Sequence, residues 1–285
     1  MQKKILFAIA SLLRRLDFPG IFRLADAIGL FMWFFLPRRR KNTLERVRFH
    51  LQREEDETVK IAKASFLHSA RSFLEILLHD KFCMDYVRFA DPDRLRQMCR
   101  TGQSAIFVSA HFGAWEFLAP VNRIMNRPTL TVVRKNRNPA IADLIQELRG
   151  KEVSVVDHRA ASGPALQCLR KQGMVGFLAD HNTSRHEAIF LPFLRETAAV
   201  NVGPAVLAVR GKAIVYPVFM RRDGLRAYTL HVHAPLDTTQ LEGAVSDRVR
   251  QVADFYTRAI EKEILAAPEQ WFWMHNRWKT RPHEA

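Results

Sequence analysis

Cysteine is nearly absent from this 285-residue chain: Cys83, Cys99 and Cys168 stand far apart, with no C-x-x-C pair among them. That excludes a disulfide framework and a zinc ribbon, and it suits a reducing compartment. No stretch rich in proline, glycine or serine divides the sequence, so nothing marks a linker between large domains. The simplest organisation is an N-terminal segment over residues 1–40 and one large domain over residues 41–285. Acidic residues are few, 29 Asp and Glu against 44 Lys and Arg, giving a net charge of +15 and a pI near 10.3. Such a balance calls for a polyanionic partner: nucleic acid, an anionic membrane surface or an acidic protein. Zinc-finger spacing, an aromatic RNA-binding signature and a basic zipper are all missing, so nucleic acid has only charge behind it and is not expected.

An uncharged apolar run of bilayer length is missing too. Met1 to Leu16 has the basic start and apolar centre of a signal peptide, but Arg14 and Arg15 interrupt it and no small-residue cleavage site follows. Phe18 to Leu36 is apolar around Arg23 and Asp26, and its uncharged core, Ala27 to Leu36, is too short to cross a bilayer alone. The aromatic cluster Phe31, Trp33, Phe34 and Phe35 stands just before four cations, Arg38 to Lys41. That arrangement fits an interfacial anchor, with a spanning helix and a core helix as the alternatives.

What is present reads as alternating helices and short strands. From Lys41 to about Arg100, apolar residues recur at three and four (Leu44, Val47, Leu51, then Val59, Ala62, Phe66, Phe73), the period of helices. Arg71 and Glu75, four apart, fit a solvated or interhelical pair. Short apolar runs then predict strands at Ala105–Ser109, Thr129–Val133, Val153–Val156, Met174–Ala179 and Ala213–Phe219. Tyr228–His233 alternates as an antiparallel or edge strand does, with His231 and His233 on one face. Val245–Leu265 is a long amphipathic helix stopped at Pro268.

Chemistry is expected where the Ala105–Ser109 strand hands over to H-F-G-A-W-E, residues 111–116. On a regular helix His111 and Glu116 would point about 140° apart. They meet only if His111 lies in the loop before the first turn and Gly113 folds the chain back. A carboxylate on one imidazole nitrogen leaves the other as proton acceptor, a general base for a hydroxyl. The N–H groups of Gly113 and Ala114, at a helix start, would then be placed to stabilise an oxyanion. His181, His186 and Glu187 fit no tight zinc spacing, so no metal is expected, nor any cofactor.

This stretch resembles the H-x-x-x-x-[DE] signature of the glycerolipid acyltransferase superfamily, and H-F-G-A-W-E is similar to the form carried by the bacterial lipid A late acyltransferases, the lauroyl and myristoyl transferases. Those typically have Asn where Ala114 stands. The tail P-E-Q-W-F-W-M-H-N-R-W-K-T-R-P, from Pro268 to Pro282, closely resembles the family's C-terminal string, and the likeness runs roughly from Lys41 to Pro282. It implies a glycerolipid-acyltransferase-like α/β fold, a central mixed sheet flanked by helices, with a membrane-associated N-terminal helical segment.

It also implies an O-acyltransferase at the inner membrane's cytoplasmic face, with acyl carrier protein or acyl-CoA as donor and a membrane glycolipid such as a lipid A precursor as acceptor. Another membrane lipid or lipid-linked metabolite is the alternative acceptor. By the same resemblance His111 and Glu116 form the general-base dyad, while Arg134, Arg137, Arg149, Asp180 and Arg222 bind substrate. Asp180 matches the family's D-[QH]-D; Asn182 departs from it.

Overall fold

The computed structural model describes residues 2–100, 102–121, 127–134, 136, 138–149 and 154–282. Four helices come first: α1 (Gln2–Leu13), α2 (Phe18–Phe35), α3 (Pro37–Leu51) and α4 (Glu55–Leu74). Then follow β1 (Val87–Phe89), α5 (Pro92–Arg100), β2 (Ala105–Ser109), α6 (Leu118–Val121), β3 (Thr129–Val133), α7 (Pro139–Arg149), β4 (Ser154–Asp157), α8 (Ser162–Arg170) and β5 (Met174–Leu178). The last part holds β6 (Ala188–Phe193), β7 (Glu196–Asn201), α9 (Gly203–Gly211), β8 (Ile214–Gly224), β9 (Ala227–Val232), β10 (Leu236–Asp237) and α10 (Val245–Ala266).

The main sheet runs β1-β9-β8-β2-β5-β3-β4, with β10 joined to β8. It is mixed: β8, β2, β5, β3 and β4 run parallel, whereas β9 and β10 are antiparallel to β8. A central parallel strand is covered on both faces and so must be apolar throughout, as Ala-Ile-Phe-Val is in β2. Its side chains alternate between two cores: Ile106 and Val108 enter the one with α8, α9 and α10, while Ala105 and Phe107 face the one with Phe18, Leu77, Leu95 and Leu148.

The sheet strands expected from sequence are all present, β2 and β3 with the same ends. Three elements were not anticipated: β1, β10 and the separate β6–β7 hairpin, in which Pro192 pairs with Thr197.

Helix α2 lies along α4, with Gly29 so close that a Cβ there would sit 2.9 Å from the Leu67 Cα. Asp17 caps it by accepting the Gly20 N–H at 2.9 Å. Its Phe18, Ile21 and Phe22 enter one core and its Trp33 the other, so α2 bridges both layers. Arg71 forks onto Asp26 of α2 at 2.6 and 2.7 Å; tertiary packing, not the four-residue spacing to Glu75, chose its partner. Among the described residues α2 is the one helix long and apolar enough to cross a membrane, with a third of it buried inside the protein. Its outer side leaves Phe31, Phe34 and Phe35 exposed.

Candidate active site

Parallel pairing of β2 with β5 sets the site. Ser109 pairs with Leu178, and two residues beyond that pair, at the carboxyl ends of adjacent strands, stand His111 and Asp180. The His111 Nδ1 lies 2.8 Å from Asp180 Oδ1, and its backbone N–H donates to Oδ2 at 3.0 Å. Trp271 Nε1 donates to the same Oδ2 at 2.9 Å. An ionised carboxylate only accepts, so the imidazole proton sits on Nδ1 and Nε2 keeps its lone pair. Asp180 is 2% exposed. Burial would raise its pKa, but the His111 ring and its hydrogen bond reverse that and hold the carboxyl well below the usual range.

The carboxylate at the imidazole is therefore Asp180, not Glu116. Gly113 does turn the chain back, at φ +59, as the sequence suggested. Glu116, however, goes on to Arg149 at the end of α7: Arg149 Nη2 and Nε donate to its two oxygens at 2.7 and 3.1 Å. Burial alone would raise the Glu116 carboxyl; the Arg149 guanidinium outweighs it and holds the group below its ordinary value. This fork ties the Trp115–Phe117 turn to α7.

The Gly113 and Ala114 N–H groups are not free for an oxyanion. Gly113 donates to the Gln270 carbonyl at 3.0 Å and Ala114 to the Met220 carbonyl at 2.8 Å, so β8 and the C-terminal string consume both donors. Ala114 has no exposed area and packs among apolar residues, a position where a bare methyl fits.

Arg222 is equally occupied. Its Nε and Nη2 donate to Glu75 at 2.9 and 2.8 Å, and Nη2 also reaches Ser72 Oγ and the Gly113 carbonyl. Both Arg222 and Glu75 are buried. That is the setting of a residue that holds the His111 loop, not of an exposed phosphate ligand. Nη1 lies 2.7 Å from His68 Nδ1; since a guanidinium only donates, His68 is neutral there. Burial first, then the charges of Arg222 and Arg71, lowers its pKa to about 3. Arg134 is exposed just past the end of β3, on the same edge of the sheet as His111. Arg137 lies outside the described residues.

An apolar wall stands beside the imidazole. Trp115 meets the His111 ring edge-on at 5.2 Å and Phe272 lies at 6.4 Å, while Phe73 of α4 packs on both at 5.3 and 5.6 Å and is half exposed. The C-terminal string builds much of this: Phe272 N–H donates to the His111 carbonyl at 3.1 Å, and the Gln270 side chain pairs both ways with the Arg222 backbone. Sequence reading recognised that string but assigned no role to Gln270, Trp271 or Phe272; the only signal was its density of aromatic and polar residues close to the end of the described chain.

His111, Asp180 and His181 offer metal-ligating atoms within 4.8 Å of one another. The His111 and His181 rings stack at 3.8 Å and 6°, which aims their lone pairs along parallel planes and not at a common point, and Nδ1 of His111 is already bonded to Asp180. The arrangement suits proton transfer better than metal binding.

Comparison with known proteins identifies the family. The chain is 28% identical over 279 residues to the lipid A biosynthesis lauroyltransferase of Escherichia coli K12, covering 94% of this chain and 88% of that one. It is 29% identical over 188 residues to a lipid A biosynthesis acyltransferase of Haemophilus influenzae (63% and 57% covered) and 28% over 192 residues to the E. coli lipid A biosynthesis palmitoleoyltransferase (67% and 60%). Residues 4–280 match the family described as bacterial lipid A biosynthesis acyltransferase, and the chain is a member of that family and an acyltransferase.

Proposed function

We propose that this enzyme moves a fatty acyl chain from an acyl thioester, of acyl carrier protein or coenzyme A, to a hydroxyl of a lipid A precursor, with His111 as general base. The observation that carries the reading is the His111–Asp180 pair with the aromatic wall of Trp115, Phe73 and Phe272 at its side. His111 Nε2 takes the proton of the acceptor hydroxyl as its oxygen attacks the thioester carbonyl. Asp180 holds the reactive tautomer and stabilises the imidazolium. When the C–S bond breaks, the imidazolium returns the proton to the departing thiolate. The wall gives the acyl chain a dry path to the carbonyl.

Glu116 acts at one remove, by locking Arg149 and the turn that follows His111. Arg134, exposed on the same edge, would meet an acceptor phosphate. The N-terminal segment would hold the enzyme at the cytoplasmic face of the inner membrane. Phe31 and Phe35 stack in the open at 4.7 Å, and Lys63 lies over the exposed Phe34 at 6.0 Å. Aromatics with cations of this kind settle among anionic headgroups, and the excess of +15 favours an acidic donor protein as well.

The test is transfer of a labelled acyl chain by the purified protein, offered as acyl carrier protein and CoA thioesters, to a lipid A precursor and to lysophospholipids. Label on the lipid A precursor supports the reading; label on lysophospholipid alone contradicts it.

A further inference from the structure

Asp180 meets the edge of the His111 ring, and the very next residue meets its face. The His181 ring lies flat on His111, and His275 lies against the other side of His181, at 4.3 Å and 35°. His275 Nε2 accepts the Asn182 N–H at 3.0 Å, which places its proton on Nδ1 and keeps it neutral. Asn182 is clasped in turn. Its Oδ1 accepts the Thr280 N–H at 2.9 Å and its Nδ2 donates to Thr280 Oγ1 at 3.0 Å, while that hydroxyl donates to the Thr183 carbonyl. With the threonine proton already spent, position 182 must both donate and accept, which an amide does and a carboxylate cannot. Position 182 thus adds no charge beside the stack; Asp180 and Arg277 act on His181, and Asp180, Arg277 and Arg46 on His275.

We infer that His181 is a positioning residue for acyl transfer: a neutral ring, held by His275 and the Asn182–Thr280 clasp, that fixes the plane of His111 and offers a π face to the imidazolium formed during proton transfer. Hydrogen bonding at one edge and stacking on one face leave the base no freedom to turn. A cation against an aromatic face is attracted by the ring's quadrupole. The inference rests on His111 being the base.

Full-length enzyme in detergent tests it, with His181→Gln, which removes the ring, and His181→Phe, which keeps a flat π face without a titrating nitrogen. The expected result is a roughly fivefold fall in kcat for His181→Gln with an unchanged KM for the acyl thioester, and recovery of most of that loss in His181→Phe. Histidine-labelled NMR reads the same contact without turnover: the His111 ring protons lose their ring-current shift in His181→Gln and keep one in His181→Phe. A kcat for His181→Gln within twofold of the parent, a His181→Phe no better than His181→Gln, or an unmoved His111 spectrum overturns the inference. If His181→Gln fails to fold, His181→Ala takes its place under the same criteria. Should these variants behave like the parent while His111→Gln is dead, only the stacking role falls; should His111→Gln remain active, the proposed function falls with it.

Discussion

His111 and Asp180 are 69 residues apart in sequence, and one carboxylate grips both the ring and the backbone of the histidine, through Oδ1 to Nδ1 and through Oδ2 to the amide. The pairing of Ser109 with Leu178 leaves these two no choice but to meet. The orientation of the imidazole thus follows from sheet register, and the proposed base inherits the rigidity of two central strands.

Asp180→Asn should be the most telling change at this pair. The amide can donate to Nδ1 and so favours the opposite tautomer, with the proton on the nitrogen meant to accept. A loss in kcat on the order of 10³ to 10⁴ is expected, with little change in KM for the acyl thioester. Steady-state kinetics on the purified variant reads it, and a loss of less than tenfold would detach Asp180 from the mechanism.

Glu116 and Arg149 should behave as a buried pair. Arg149→Met strands a carboxylate among apolar groups and is expected to cost about 3–5 kcal/mol of stability, whereas Glu116→Gln with Arg149→Met together should recover part of that. Chemical unfolding of the two single variants and the double variant gives the coupling. Strictly additive effects would mean that the fork seen here contributes nothing.

Gly113→Ala should fail for two reasons at once. The backbone is left-handed there, and the new Cβ would lie 2.0 Å from the Met220 carbonyl oxygen, in a strand that cannot yield. A loss of more than about 4 kcal/mol is expected. Gly102→Ala is the control: φ is also positive, at +61, but nothing lies within 4 Å, so the cost should stay near 1–2 kcal/mol. Thermal unfolding compares the two.

Acid should weaken the fold through histidines kept neutral inside it. His68 is lowered to about 3 and His50 to about 4, in both cases first by burial. In the unfolded chain each protonates near 6.5, so their contribution is complete above that pH and is lost progressively as the pH falls towards the folded values. His68→Gln can still accept from Arg222 but does not titrate. It should remove about 1–2 kcal/mol of the stability lost between pH 7.5 and 5. Equal losses in parent and variant would show that His68 carries a proton in the folded protein.

The strands at Ala105–Ser109 and Thr129–Val133 were legible because short apolar runs bounded by turn residues have few other uses, and the 22-residue α10 was legible from its period. The β6–β7 hairpin was not, since Pro192 breaks the pattern that a strand would show, and β1, at three residues, is too short to carry one. His111 was found from its place at a strand end, but its partner was sought nearby, at Glu116, because a single sequence does not reveal how distant strands align. Arg222 illustrates the same limit: among 44 cations no local feature distinguishes the one that is buried on Glu75.

The most direct measurement is single-turnover transfer of a labelled acyl chain from its thioester to a lipid A precursor by the parent and by His111→Gln, folded to the same thermal midpoint and equally bound to membranes. The parent is expected to acylate the acceptor, and the variant, its base gone, to transfer no label above the uncatalysed rate. Transfer by His111→Gln at a rate near that of the parent would contradict it.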